Sequence, residues 1–243
     1  METSPQLAVV WRLAQLDLFM LPDRDSIAAF TEADLAEWLL GSDGAWAPPR
    51  PQRRLAQLVL SIPTSAPVRF RIPTGVLVSG ATAPGDVDAL VAAPGEEAHA
   101  VAFECKPVKV KAATFATGRP NRFPELEHGA GQANALHALG LHRTYLLVAV
   151  AIDGRERPGN WLDRGLSAQL QRAIYGSLPL DLLHPGVGLV VAEGVQPSGK
   201  SVYLAAGVGL PIIREAMPQV QPPALTAAIR RMFTREVVSN HDS

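Results

Sequence analysis

The amino-acid sequence predicts an α/β protein with a mixed central sheet flanked by helices. From residue 68 to residue 106, short apolar runs alternate with turn-forming residues, a pattern typical of a meander of antiparallel strands. A helical stretch then leads to a continuous apolar run at residues 145–152, which predicts a central strand covered on both faces. Strand, helix and strand in this order predict a βαβ unit with parallel strands and a right-handed crossover.

Residues 1–65 are expected to form a helical extension of this domain, which itself spans residues 66–238. Apolar residues recur at helical spacing over residues 7–21, where a proline ends the helix. Residues 31–34 (Thr-Glu-Ala-Asp) predict a capping box that opens a second helix, and residues 53–60 predict a third helix or a strand. We interpret these helices as a cap on the sheet, with a winged-helix-like unit as the alternative.

The domain itself is expected to open with a strand and a hairpin. Apolar residues alternate with arginines over residues 68–72, which predicts a half-buried strand that resumes at residues 76–78 after a turn. Residues 85–106 contain two further β-prone runs, joined by turn-forming residues at 93–97. These runs are therefore expected to pair as an antiparallel hairpin.

Charged side chains gather at the end of this hairpin. Because side chains alternate across a strand, Glu104 and Lys106 share one face and are expected to point together, out of the core. The opposite face is apolar and belongs in the core: Val101, Phe103 and Cys105. The hairpin places Asp86 and Asp88 on the neighbouring strand, so a carboxylate from that strand is expected to approach Glu104.

Such a cluster has a specific chemistry. Two or three carboxylates without His or Cys partners form an oxygen-only site, which suits Mg²⁺ or Mn²⁺ rather than Zn²⁺. A nearby lysine is a cation available to a phosphate or to an attacking water. The alternative is a surface hairpin with a Glu–Lys pair, which contributes only about 0–1 kcal/mol and leaves the gathered acids without a reason.

The order of these residues resembles a known signature. Asp88 followed by Glu104-Cys105-Lys106 resembles the motif of the PD-(D/E)XK nuclease superfamily, in which an Asp starts one strand and Glu-x-Lys lies on the next. The string Gly-Asp-Val-Asp at residues 85–88 also resembles the form found in several resolvase-like and restriction-like members. The resemblance covers the hairpin and, more loosely, the next helix and strand. It implies a restriction endonuclease-like core.

The resemblance also implies roles. Asp88 and Glu104 would ligate Mg²⁺, and the backbone carbonyl of Cys105 often adds a ligand in this family. Lys106 would orient the attacking water or help to deprotonate it. Asp86 would help to bind a second ion, or it would only support the coordination shell of the first ion.

The helix expected at residues 124–139 offers a further candidate. Family members commonly carry a Gln or Glu on this helix that points back at the site, and Gln132 matches that position. Some members have a Tyr four residues later, but Leu136 stands there in this chain. A solvent-facing Gln132 is the alternative.

A basic stretch follows the motif. No acid lies between Glu104 and Glu125, whereas four basic residues follow Lys106 within this interval. They are Lys109, Lys111, Arg119 and Arg122. The net charge of −1 gives no overall attraction for a polyanion, so a local basic strip beside the metal site is the expected nucleic-acid contact. A flexible basic loop is the alternative.

The remaining segments complete the expected sheet and its flanking helices. A helix is expected at residues 161–175 and a final amphipathic helix at residues 224–237. Between them, strands at residues 187–191 and 201–206 are expected to form a closing hairpin on the sheet.

These observations predict an Mg²⁺-dependent endonuclease that hydrolyses phosphodiester bonds, of DNA more than RNA. The alternatives are a nuclease-like module that binds nucleic acid without cutting it and a protein-interaction module with an incidental acidic pocket. The single cysteine excludes an internal disulfide and fits the reducing cytoplasm. No apolar run approaches the length of a membrane span, so no membrane partner is expected. A homodimer is one state that the resemblance implies.

Overall fold

The computed structural model describes residues 18–20, 26–40, 66–78, 85–118, 123–157, 166–199, 201–204 and 212–234. Within these ranges the strands are β1 (Leu18–Met20), β2 (Val68–Pro73), β3 (Asp86–Val91), β4 (Val101–Val110), β5 (Arg143–Asp153), β6 (Gly188–Ser198), β7 (Ser201–Leu204) and β8 (Ile212–Arg214). The α-helices of the same ranges are α1 (Glu32–Leu40), α2 (Thr74–Leu77), α3 (Ala112–Thr117), α4 (Phe123–Ala138), α5 (Ala168–Tyr175) and α6 (Pro223–Thr234).

The strands form one mixed sheet in the order β1-β7-β6-β5-β4-β3-β2, and β8 pairs with β6. Strands β2, β3 and β4 are an antiparallel meander, as predicted. Strands β4, β5 and β6 run parallel to one another, and α4 connects the first two, which confirms the βαβ unit. Strand β7 pairs antiparallel with β6, which confirms the closing hairpin. The predicted fold class, α/β with a mixed sheet flanked by helices, is confirmed at this level.

Helices cover both faces of the sheet. On one face, Leu35 and Leu39 of α1 pack in a core cluster with Phe103 of β4. On the other face, Leu126 of α4 packs with Leu146 of β5. Strand β5 is buried at every position except its two ends, which is why its sequence is apolar without alternation.

The first predicted helix, residues 7–21, is wrong in the part that the structure describes. Residues 18–20 form β1, which pairs antiparallel with β7. A short apolar run fits a strand as well as a helix, and pairing with a distant strand decides between them here. The rest of that helix and the predicted helix at residues 53–60 lie outside the described residues. The second helix is confirmed as α1, and it packs against the sheet as a cap.

Elsewhere, one helical turn, two element boundaries and one additional strand differ from the prediction. Residues 76 and 77, predicted to resume the strand, belong instead to the single turn α2, at whose start Thr74 donates from its backbone N–H and its Oγ1 to the carbonyl of Gly85. Helix α5 begins at Ala168, where the Ser167 hydroxyl caps it, so residues 166–167 are not helical. Strand β6 continues seven residues past Val191 to Ser198, and β8 was not predicted. Among the described helices, none combines the length and apolar character needed to span a bilayer.

Candidate metal centre

The candidate site lies where β3 and β4 separate. Their backbone ladder ends at the pair Ala89–Phe103, although both strands continue beyond it. At the next position, the Asp88 carboxylate Oδ2 accepts a hydrogen bond of 2.7 Å from the backbone N–H of Cys105. A side-chain oxygen of β3 thus accepts a hydrogen bond from the backbone of the neighbouring strand. This bond holds Asp88 against the strand that carries Glu104. The approach of a carboxylate from β3 to this strand was predicted from the hairpin.

Glu104 and Lys106 share a face of β4, but they do not point out of the core. Their exposed fractions are 1% and 6%. Strand β4 continues to Val110 in a parallel ladder with β5, so both residues lie inside the strand rather than at its end. Helix α4 lies over this face of the sheet. The sequence pattern could not show this, because the burial comes from an element later in the chain.

A third carboxylate enters the site from α1. Nζ of Lys106 lies 2.7 Å from Oε1 of Glu104 and 2.8 Å from Oε1 of Glu32, the first residue of α1. The predicted capping box engages Thr31 and Asp34: the Asp34 carboxylate accepts from the Thr31 N–H at 2.8 Å, and the Thr31 hydroxyl accepts from the Asp34 N–H at 3.2 Å. The side chain of Glu32, between them, points to the site.

Sequence analysis missed Glu32 as a site residue. The capping box locates it in the first turn of a helix, but acids are ordinary there because they favour the positive end of the helix dipole. What brings Glu32 to the candidate site is the packing of α1 against β3 and β4, more than fifty residues away in the chain. No spacing rule in the sequence predicts that contact.

The three acids converge on one point. One carboxylate oxygen from each of Glu32, Asp88 and Glu104 lies within 4.8 Å of the other two. Within the described part of the chain, Oε2 of Glu104 is buried and accepts no hydrogen bond. A buried carboxylate oxygen without a donor is costly, and a bound cation would remove that cost. The donor set is all oxygen, which is what Mg²⁺ and Mn²⁺ prefer.

Electrostatics in the cluster follow from burial and crowding. Burial, together with the nearby Asp88 charge, raises the pKa of Glu104 to about 8. Burial raises the pKa of Asp88 to about 6, although the hydrogen bond from Cys105 opposes the shift. For Lys106, burial disfavours the ammonium, but Glu104 and Glu32 outweigh it and raise the pKa above the usual range. The cluster therefore retains a carboxyl proton near neutral pH and keeps its lysine charged.

Cys105 lies between these residues but faces the other way. Its side chain is 1% exposed and packs in the apolar cluster beneath α1. Burial raises the pKa of the thiol well above its ordinary value, so the sulfur stays protonated. Its backbone N–H serves the site through Asp88. The predicted role of its backbone carbonyl as a ligand stays a prediction.

Two further predicted residues are Asp86 at the start of β3 and Gln132 in α4. Asp86 is exposed at the first position of the strand and is not a member of the three-carboxylate group. Gln132 of α4 is half-buried, and a Cβ placed on Gly85 would lie 3.4 Å from its Nε2. Its buried Oε1 accepts no hydrogen bond from the described residues. Gln132 therefore faces the start of the strand that carries Asp88.

The structure describes only part of the predicted basic strip. Lys109 is half-buried near the end of β4, and Lys111 is exposed just before α3. Arg119 and Arg122 lie outside the described residues. The guanidinium carbon of Arg157 lies 4.4 Å from the ring centre of Phe115 in α3, which brings to this helix a cation that the sequence analysis did not select.

Comparisons with known proteins add little to this picture. No protein-family model matches the chain, and no curated protein matches it. Among solved structures, the chain is similar to a protein described as "SPO1766 protein of unknown function from Silicibacter pomeroyi". The sequence identity is 14%, the match covers 80% of this chain and 90% of the other, and the TM-score is 0.32.

Proposed function

We propose that this chain is a divalent-metal-dependent nuclease with a restriction endonuclease-like core, and that it hydrolyses phosphodiester bonds of nucleic acid, DNA more than RNA. The observation that carries the proposal is the convergence of Glu32, Asp88 and Glu104 around the ammonium of Lys106. Asp88, Glu104 and Lys106, which resemble the PD-(D/E)XK motif, thus lie in one cluster with Glu32 of α1.

The residues fit a hard divalent cation. Among the described residues, three carboxylates gather beside one ammonium, and one buried oxygen of Glu104 accepts no hydrogen bond. Glu32, Asp88 and Glu104 would hold the ion. When bound, Mg²⁺ or Mn²⁺ supplies a Lewis acid for the phosphate and lowers the pKa of a coordinated water.

The protein's own groups have distinct tasks in this proposal. Lys106 keeps its positive charge at all physiological pH values, so it serves as an electrostatic partner for a phosphate oxygen and orients water. The bond from Cys105 N–H fixes the Asp88 carboxylate before substrate arrives. Burial of Glu104 and Lys106 strengthens the electrostatic contact between them. Lys109 and Lys111 extend the positive surface towards the substrate backbone.

A cleavage panel tests the proposal. Plasmid, linear duplex, single-stranded DNA and RNA are incubated with Mg²⁺ or Mn²⁺, with and without excess EDTA. The variants are Asp88→Asn, Glu104→Gln and Lys106→Met, and Glu96→Gln is the control because Glu96 is exposed in the hairpin turn. We expect metal-dependent cleavage by the wild type and the control, with a loss of at least about 100-fold in the other three.

The alternatives predict different outcomes. A module that binds without cutting would retain salt-dependent affinity for nucleic acid while every substrate stays intact. A protein-interaction module would show no affinity even at low salt. Cleavage that persists in EDTA, or that is unchanged in Lys106→Met, would refute the proposed site.

A further inference from the structure

The side chain of Lys106 runs beneath α4 at a glycine. A Cβ placed on Gly129 would lie 2.5 Å from Cγ of Lys106 and 3.1 Å from its Cε. It would also lie 3.2 Å from Cδ1 of Leu146 on β5. Gly129 is buried in the middle of α4, where glycine is the least favourable residue apart from proline. The space that its missing side chain leaves is occupied by the stem of Lys106.

We propose that Gly129 is a positioning residue for Lys106. Its lack of a side chain opens a passage between α4 and β4, and the walls of this passage confine the lysine stem at two carbons. A free lysine side chain samples many rotamers, so confinement at Cγ and Cε restricts where Nζ can lie. In the structure that position is 2.7 Å from Glu104 and 2.8 Å from Glu32. The catalytic meaning of this placement rests on the proposed function; the packing itself does not.

The same helix contains a matched control. Gly131 is exposed, and a Cβ placed on it would have nothing within 4 Å. Alanine at either position gains the same helix propensity, so a difference between the two variants reports what the new methyl group meets. We expect Gly131→Ala to lower the unfolding equilibrium constant by roughly fivefold. Gly129→Ala is expected to raise it, because the methyl group displaces Lys106 from its two carboxylate partners.

The decisive measurement repeats both substitutions in two Lys106 backgrounds. Met keeps heavy atoms at the γ, δ and ε positions, whereas Ala removes all three, and neither residue is charged. If the passage is occupied by the lysine stem, Gly129→Ala remains unfavourable with Lys106→Met but approaches the benefit of Gly131→Ala with Lys106→Ala. Such coupling is the signature of direct contact in a double-mutant cycle. An equal effect of Gly129→Ala in both backgrounds would overturn the inference.

Removal of Lys106 leaves Glu104 buried without its cation, which could prevent folding. The same cycle is then carried out with Glu104→Gln in every variant, which removes that charge and leaves the steric question intact. Coupling between positions 129 and 106 that appears in this background supports the inference, and its absence rejects it.

A second readout concerns the ammonium group. In the wild type and in Gly131→Ala, the Lys106 ammonium is expected to give a protected ¹H–¹⁵N signal at low temperature, because two carboxylates shield it from water. In Gly129→Ala that signal is expected to broaden through exchange, and metal-dependent cleavage to fall by at least tenfold. If the wild type does not cleave nucleic acid, the proposed function fails while the cycle and the signal still test the positioning role. If the wild type cleaves and Gly129→Ala retains both its signal and its activity, the positioning role fails alone.

Discussion

Replacement of Glu104 by Gln should change how the stability of the protein depends on pH. The glutamine amide has nearly the same shape as the carboxylate but does not titrate. In the wild type, burial and Asp88 raise the pKa of Glu104 from 4.5 to about 8. Between these two values, the folded protein binds a proton that the unfolded chain releases. Stability therefore falls as the pH rises through this window.

The size of the effect follows from the width of the window. Each proton that only the folded state binds contributes a slope of up to about 1.4 kcal/mol per pH unit. The folded protein holds this proton only about half of the time at pH 8, so the full slope is not realised at the upper end of the window. We expect the wild type to lose on the order of 2–3 kcal/mol, relative to Glu104→Gln, between about pH 5.5 and pH 8.

The assay is urea unfolding in EDTA at several pH values, for the wild type and the variant side by side. Burial also raises the pKa of Glu193 and lowers that of His137, but both groups are present in both proteins, so the difference between the two curves cancels them. Divalent cation should restore wild-type stability most strongly at the high end, because binding of the cation releases the retained proton. It should have little effect on the variant. Parallel curves in EDTA would refute the account of a buried, partly protonated Glu104.

Three other predictions test the surroundings of the cluster. Glu32→Gln should weaken Mn²⁺ binding by roughly 10–100-fold in calorimetry with the fold intact, whereas unchanged affinity would remove Glu32 from the site. Thr31→Ala should lower the free energy of unfolding by about 1 kcal/mol in urea titrations because the capping box loses its hydroxyl, and an unchanged midpoint would contradict the cap. Lys111→Ala should weaken duplex DNA binding and reduce the slope of log K against log salt by about 0.9, and an unaltered slope would show that Lys111 makes no phosphate contact.

The fold was predictable where the spacing of apolar residues fitted a strand and excluded a helix, or the reverse. The alternation in β2, the unbroken apolar run of β5 and the capping box of α1 each have a single local interpretation, and the structure follows it. The segment at Leu18–Met20 has none, because a few apolar residues fit either element and the pairing with β7 is not local. Strand β8 was not predicted for a similar reason, since its three residues are too few to show a strand periodicity.

The site was predictable only in part, for a related reason. Asp88, Glu104 and Lys106 belong to a hairpin, so turn position and strand alternation were enough to bring them together. Glu32 comes from α1, whose position depends on packing across the whole sheet. The burial of Glu104 and Lys106 depends on α4 in the same way, and its sequence signal was the glycine at position 129. A glycine inside a predicted helix indicates a close approach, but it does not name the partner.

The cost of this cluster is itself an argument about function. Glu104 and Lys106 pair with Leu146 and Val148 of β5, at positions where the neighbouring strand is entirely apolar. Replacing buried ion pairs with apolar residues of similar volume is often neutral or stabilising, so stability alone does not favour charges here. In the part of the chain that the structure describes, three carboxylates gather beside one ammonium, which leaves the cluster short of positive charge, and one Glu104 oxygen accepts no hydrogen bond. A divalent cation corrects both deficits at once, whereas without the cation the cluster reduces its negative charge only by retaining a carboxyl proton. If calorimetry detects no Mg²⁺ or Mn²⁺ binding at about pH 8, where the carboxylates are most ionised, the metal site loses its physical basis.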